Sequence, residues 1–464
     1  MAADKYGQTG QRSTRDWQQQ DHQHYLHPFT DHQELGRKGC RIITSADGVY
    51  ITDSDGNRIL DGMAGLWCVN LGYGRQDLVA AATRQLQQLP YYNSFFQTTH
   101  PPAIELTELL GEVSPPQFQQ AFLTGSGSEA NDTVIKLLRR YWDLAGEPAR
   151  KIIISRKNAY HGSTVAAGSL GGMAAMHKQT GTLLPGIEHI EQPYHFELGA
   201  GLSPEEFGLQ QARLLAEKIE EVGPGNVAAF IGEPVQGAGG VIIPPDSYWQ
   251  EIQRICHEYG ILLVADEVIT GFGRLGEWFG SQHLGIEPDL MPFAKGVTSG
   301  YLPLGGVLVN DRVAEVVGGG GGEFAHGYTY SGHPASCAVA IANIRALRDE
   351  GVIGRVRETI GPSFRERFAS LADHPIVGEA RSIGLLGAVE IVKDRETRER
   401  FDKELGAGVR CRDFCFDNGL VMRAVGDKMI VCPPLVIEPA QVDELVDKAH
   451  RCLDLTARDL GVRV

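Results

Sequence analysis

From about residue 104, short apolar runs alternate with amphipathic stretches. The runs at 120–123, 151–155, 228–232, 261–265 and 306–309 are rich in Ile, Leu, Val and Phe and read as strands. Stretches with helical spacing lie between several of them, among them 130–142 and 205–221. Strands that are apolar on both faces, separated by helices, predict a mostly parallel α/β sheet covered on both sides. A further run, 288–294, leads into Lys295. Earlier in the chain, 49–61 reads as a hairpin turning at Asp55-Gly56-Asn57. After His333-Pro334 the pattern predicts a long helix over 335–350. A C-terminal α+β unit follows, with strands at 383–392 and 428–432 and a closing helix at 441–455.

Residues 1–36 are polar and rich in Gln and His, as in an extended or helical arm, and the glycine run 318–322 reads as a flexible loop. With 464 residues, 42% hydrophobic and 22% charged, the chain can bury a large core. A net charge of −15 argues against nonspecific binding to nucleic acid or anionic membrane. No apolar run approaches the ~20 residues of a membrane span. The polar start lacks a signal-peptide core, and the eight cysteines are scattered without a CxxC pair. Together these predict reduced thiols and a cytoplasmic protein. His22, His24 and His27 lack partners at metal-ligand spacing, so no metal is expected.

Every polar cluster of interest follows a strand candidate. In an open parallel sheet, ligands bind beyond the carboxyl ends of the strands, so these clusters should converge. Gly125-Ser126-Gly127-Ser128 opens a helix and offers N–H groups, hydroxyls and a helix dipole to a phosphate, or reads as a plain helix cap. Tyr160 could stack on a ring or be an ordinary loop aromatic. Glu233 and Asp266 end strands as functional or capping acids. Lys295, between Phe-Ala and Gly, departs from a surface pattern, and burial would lower its pKa and make it nucleophilic. Arg423 lies in an apolar stretch and needs an anion, either a substrate carboxylate or a structural partner. An amine and an acid, Lys295 and Asp266, each at the carboxyl end of a strand candidate, suit pyridoxal phosphate, which needs a lysine for its Schiff base and an acid facing the pyridine nitrogen. Two glycine patterns, at 125–130 and 271–276, also match a dinucleotide fingerprint, but neither sits in the first strand–helix unit.

Taken together, six ordered motifs resemble the class III (fold type I) pyridoxal phosphate aminotransferases, over roughly residues 25 to 455. They are Gly125 to Asp132, Tyr160 to Thr164, Glu233 to Gly237, Ala265 to Arg274, Ala294-Lys295-Gly296 and Thr329 to Pro334. Asp61 to Cys68 and Tyr92 to Thr98 are similar to the ω-transaminases of the polyamine:pyruvate and amine:pyruvate group. The resemblance implies a small domain from both chain ends (37–85 and 346–464, after an arm at 1–36) and a coenzyme-binding large domain at 86–345. It implies a homodimer or homotetramer with shared active sites, moving an amino group from a primary amine or diamine to pyruvate.

Residue by residue, the resemblance gives Lys295 the Schiff base and the proton shuttle, and Asp266 the pyridinium nitrogen. Gly127 and Ser128, beside Ser126, would cradle the phosphate, and Thr329 would reach the phosphate of the neighbouring subunit. Tyr160 and Val268 would sandwich the ring, with His161 and Glu233 alongside. Trp67, Phe95 and Tyr160 would line the amine pocket, and Arg423 would clamp the carboxylate of pyruvate. Two positions depart from relatives: Ala238 stands where ornithine-type enzymes carry a glutamate, and Ile269 where some have a glutamine. Decarboxylase or aminomutase chemistry, a nicotinamide oxidoreductase and a non-catalytic protein remain alternatives.

Overall fold

The computed structural model describes residues 12–463. A seven-stranded sheet forms its centre, in the spatial order Gln120–Thr124, Gly305–Val309, Leu290–Phe293, Leu262–Ala265, Val227–Gly232, Ile152–Arg156 and Ile187–Ile190. Only Gly305–Val309 runs against its neighbours; the remaining pairings are parallel. The carboxyl ends of the other six strands therefore share one edge.

Successive side chains of these strands point to opposite faces, and both faces are covered. Ile153, Ala229, Ile231, Leu262 and Val264 pack with Val134 and Leu138 of the helix Gly127–Leu144. Ile154, Phe230 and Leu263 pack with Leu215 of Pro204–Val222 and with Trp249 and Ile252 of Asp246–Glu258. That two-sided burial is why the strands read as continuous apolar runs rather than as alternating ones.

The two ends of the chain meet. Ile43–Asp47, Tyr50–Asp53 and Arg58–Asp61 form an antiparallel meander, and Leu420–Val421 pairs in parallel beside it, with Leu420 opposite Leu60. A second antiparallel sheet, Val377–Ile383, Leu386–Ile391, Lys428–Val431 and Arg423–Val425, lies in the C-terminal region. Here one expectation is corrected. The run 383–392 is not a single strand, because Gly384 takes a left-handed turn at φ 53° and Ile383 ends one strand while Leu386 begins the next.

Ile43–Asp47 and Ile187–Ile190 were not expected as strands. Thr44-Ser45 and Glu188-His189 break their apolar pattern, and both lie at sheet edges, where one flank needs no apolar cover. The described part of the N-terminal arm forms the helices Thr14–His24 and His32–Lys38, with no buried residue. Arg140 reaches into the glycine run and donates to the carbonyls of Gly320, Gly321 and Gly322. Among the described residues, no helix is long and apolar enough to cross a membrane.

Candidate active site

Asp266 leaves the sheet at the end of Leu262–Ala265 and is 3% exposed. Three N–H groups converge on its carboxylate. Asn131 Nδ2 (2.9 Å) and His161 Nδ1 (2.7 Å) donate to Oδ2, and the Val268 amide (3.1 Å) donates to Oδ1. With a carboxylate as acceptor, the imidazole proton sits on Nδ1. His161 Nε2 is buried without a partner. Asn131 lies one turn into the helix Gly127–Leu144, so that helix is tied directly to the acid.

Glu233 ends the adjacent strand and is also 3% exposed. Its Oε1 accepts the Tyr160 amide at 3.1 Å and its Oε2 the Gly237 amide at 2.9 Å. Burial pushes its carboxyl above the usual range, and the charge of Asp266 adds to the shift. The fully buried Arg156 donates to the Glu233 carbonyl at 2.5 Å.

Lys295 follows Leu290–Phe293 in a left-handed backbone conformation, φ 48°. Such a conformation costs a non-glycine residue about 1–3 kcal/mol and is typical of functional sites. Burial lowers the amine below the usual lysine range, against the raising effect of Asp266. Its Nζ lies 5.8 Å from the centre of the Trp67 ring, and the Arg423 guanidinium lies 4.7 Å from the same ring. Trp67 is 3% exposed, sits at φ 59°, and leaves its indole N–H without an acceptor. It packs with Met63, Ala238 and Ile269, with Tyr160 against the same cluster. Arg423 is half-buried and forms no ion pair among the described residues. Burial lowers its pKa, and Tyr160 works in the other direction.

The Gly/Ser loop forms an anion cradle. Ser126 caps the helix by accepting the Glu129 amide at 3.2 Å. The Glu129 carboxylate in turn takes the Gly125 amide at 2.7 Å. The N–H groups of Gly127 and Ser128, in the first turn of an 18-residue helix, have no intrahelical acceptor and stand ready for an anion. Ser163 donates its amide to Ser128 Oγ at 3.0 Å, which leaves the hydroxyl proton to a ligand. A Cβ on Gly127 would stand 3.0 Å from Val268 Cγ1, so glycine lets the ring-side valine pack onto the loop. Gly162, at φ 140°, allows an equally close approach, since a Cβ there would meet Ser128 Oγ at 2.7 Å.

The structure thus brings together Lys295, Asp266, His161, Glu233, Tyr160, Val268, Gly127, Ser128, Trp67 and Arg423. It places Phe95 and Thr329 elsewhere. Thr329 is exposed, and its carbonyl accepts the Tyr91 hydroxyl at 2.6 Å. Phe95 lies on Gly327, where a Cβ would come within 2.3 Å of its ring. Sequence reasoning assigned no role to Asn131 or Arg156. Asn131 was visible only as a polar residue one helical turn after the glycines. Nothing in the sequence marked Arg156 as buried beyond its position at a strand end.

A buried amine, an acid held by three donors and a helix-end anion cradle fit a phosphorylated pyridine aldehyde. His161 Nε2 and the Trp67 indole N–H are buried without a protein partner, which leaves hydrogen-bonding capacity at the site unused. Residues 34–453 match the family model for class-III aminotransferases. The chain is 59% identical over 444 residues to the putrescine–pyruvate aminotransferase of Pseudomonas aeruginosa, covering 96% of this chain and 97% of that one. It is 42% identical to the diaminobutyrate–2-oxoglutarate transaminase of Halomonas elongata, over 89% of this chain and 90% of that one. An (S)-enantioselective ω-transaminase from Thermomicrobium roseum superposes with a TM-score of 0.94 at 41% identity, covering 96% and 99% of the two chains. The ω-transaminase of Pseudomonas jessenii in complex with PMP does so with a TM-score of 0.93 at 41% identity and the same coverage. The fold is therefore the type I fold of pyridoxal phosphate enzymes, and the chain belongs to the class III aminotransferases, which use pyridoxal 5′-phosphate as coenzyme.

Proposed function

We propose that this aminotransferase is an ω-transaminase that moves the amino group of a primary amine or diamine of the putrescine class to pyruvate, giving an aldehyde or ketone and alanine in a ping-pong cycle. The carrying observation is the pair of basic side chains on one aromatic ring. Trp67 stands against both the Lys295 amine and an Arg423 guanidinium that forms no ion pair among the described residues. The name of the Pseudomonas aeruginosa relative supports the choice of substrates. Ala238, buried beside Trp67 and Ile269, leaves that pocket apolar and without a fixed anion to occupy Arg423.

When bound, the coenzyme supplies an electron sink for negative charge developing at the substrate carbon. The chain's own groups do the rest. Lys295 Nζ, its pKa lowered by burial, would act as the base that takes the proton from that carbon and then as the acid that gives it back to complete the transfer. Asp266 would hold a proton on the pyridine nitrogen, and Asn131, His161 and the Val268 amide fix the orientation of its carboxylate. Val268 and Tyr160 would flank the ring. Gly127 and Ser128 would hold the phosphate. Trp67 and Tyr160 would wall the amine pocket.

Thr329 is exposed, and the half-buried Phe95 packs on Gly327 two residues before it, which supports their serving the site of a second copy, so that the working unit is a homodimer or larger. Eight unpaired cysteines fit a reducing cytoplasm.

Arg423→Ala tests the reading. Loss of a charge-assisted pair to a carboxylate, about 1.5–3 kcal/mol, is expected to raise KM for pyruvate roughly 10- to 100-fold. The kcat/KM for a monoamine donor should stay within about threefold. Steady-state kinetics with both substrates varied decide it, and equal losses for the two would remove Arg423 from carboxylate recognition. A donor screen against pyruvate, read by alanine formation, tests the substrate class. Carbon dioxide release without any keto acid would favour decarboxylation instead.

A further inference from the structure

We propose that His326 is a positioning residue for the coenzyme phosphate. It pins the segment carrying Gly327 and Thr329 to the helix whose first turn forms the anion cradle. This rests on the reading of that cradle and of Thr329 given above.

The hydrogen bonds run in one direction only. Thr133 Oγ1 donates its single proton to the Glu129 carbonyl at 2.8 Å. His326 Nε2, 2.8 Å from the same hydroxyl, must therefore be the donor there. Nδ1 is then unprotonated and accepts from Lys136 Nζ at 3.1 Å. Burial and the Lys136 charge push the imidazole down to about 4, which keeps it in this neutral form. The Tyr328 hydroxyl donates to the same Glu129 carbonyl at 3.1 Å. Glu129 is the residue whose carboxylate closes the cradle on the Gly125 amide.

Stacking fixes the ring as well. Phe122 lies 5.3 Å away at 12° to it, and the Phe324 and Tyr328 rings meet it edge-on. Immediately beyond the pin, Gly327 seats Phe95 and Thr329 accepts from Tyr91. One imidazole thus sets the register between the phosphate helix and the surface that presents Thr329 and Phe95.

The experiment is a coenzyme titration of His326→Leu and His326→Gln, with Thr329→Ala alongside, in parallel with thermal unfolding of the coenzyme-free chains. Leucine keeps the apolar contact with Phe122 and removes both hydrogen bonds. It is expected to weaken pyridoxal phosphate binding roughly tenfold. The glutamine amide can donate to Thr133 and accept from Lys136, so it should recover affinity to within about threefold of the parent. A purely structural role would lower the unfolding midpoint and leave glutamine no better than leucine in the titration, which overturns the proposal. Parental affinity in His326→Leu overturns it too. Should His326→Leu not fold, Thr133→Val breaks the same chain from the helix side and should show the same loss. Weakening in Thr329→Ala but not in His326→Leu sinks the pin alone. Weakening in His326→Leu with none in Thr329→Ala keeps the pin, acting through Glu129, and removes Thr329 from the phosphate.

Discussion

Lys295→Ala is expected to cut kcat by roughly four orders of magnitude or more, because the proposed function makes the amine both the attachment point for the coenzyme and the base that moves the proton. The coenzyme would still bind through the helix-end cradle and Asp266, so its absorbance should shift from that of the lysine-linked form to that of the free aldehyde rather than vanish. Stability should move the other way. The side chain carries a desolvation penalty and forms no hydrogen bond or ion pair among the described residues. Its removal costs the coenzyme-free chain little, and the φ 48° strain stays the same for alanine. An unfolding midpoint equal to or above that of the parent is expected, in line with the usual opposition between activity and stability at such sites. Single-turnover assays with added methylamine offer a second check, since a small amine can restore proton transfer but not the tether. A Lys295→Ala enzyme with near-parental turnover would falsify the proposed role of this residue.

How much of this was legible beforehand depended on whether burial leaves a trace in residue order. The inner strands are buried on both faces, so Val227–Gly232 and Leu262–Ala265 appear as unbroken apolar runs, and the polar residue after each run is placed at the ligand edge by topology alone. Lys295 was conspicuous because Phe, Ala and Gly are poor neighbours for a solvated amine. The edge strands left no such trace. Ile187–Ile190 carries Glu188 and His189, and nothing local distinguishes it from a loop. The misread run at 383–392 shows the converse, since apolar character continued through Gly384 and hid a reversal that only the backbone reveals. Phe95 illustrates a different limit. Motif order placed it in the amine pocket, but within one chain it lies on Gly327, and a site shared between copies has no signature in the spacing of a single sequence. The tie from Asn131 to Asp266 spans 135 residues and depended on helix register against the sheet.

Asp266→Asn is expected to lower kcat by about 10²- to 10³-fold, the range for losing one preorganised electrostatic partner in a water-excluded site, about 2.7–4 kcal/mol. The loss is more than that of a charge. If the amide oxygen takes the Oδ2 position, it keeps Asn131 and His161, but its NH2 then faces the Val268 amide, itself a donor. If the amide is flipped, the NH2 meets the Asn131 amide and the His161 Nδ1 proton instead. The imidazole can relieve its share by moving its proton to Nε2, which has no protein partner to oppose the change. Asn131 Nδ2 keeps the His161 and Gly127 carbonyls as acceptors, so the flipped amide keeps the fold at modest cost, with its oxygen turned toward the Val268 amide. It would offer the pyridine nitrogen of a bound coenzyme no charge to hold its proton, and the ring would lose its pull on electrons. The kinetic loss should thus appear in kcat for every donor alike, with the unfolding midpoint lowered by no more than a few degrees. Asp266→Ala, which leaves His161 Nδ1 and the Val268 amide without an acceptor, should be both slower and less stable. If Asp266→Asn turned over within about threefold of the parent, the carboxylate would be a structural hub for Asn131 and His161, and the electronic role assigned to it would have to pass to another group.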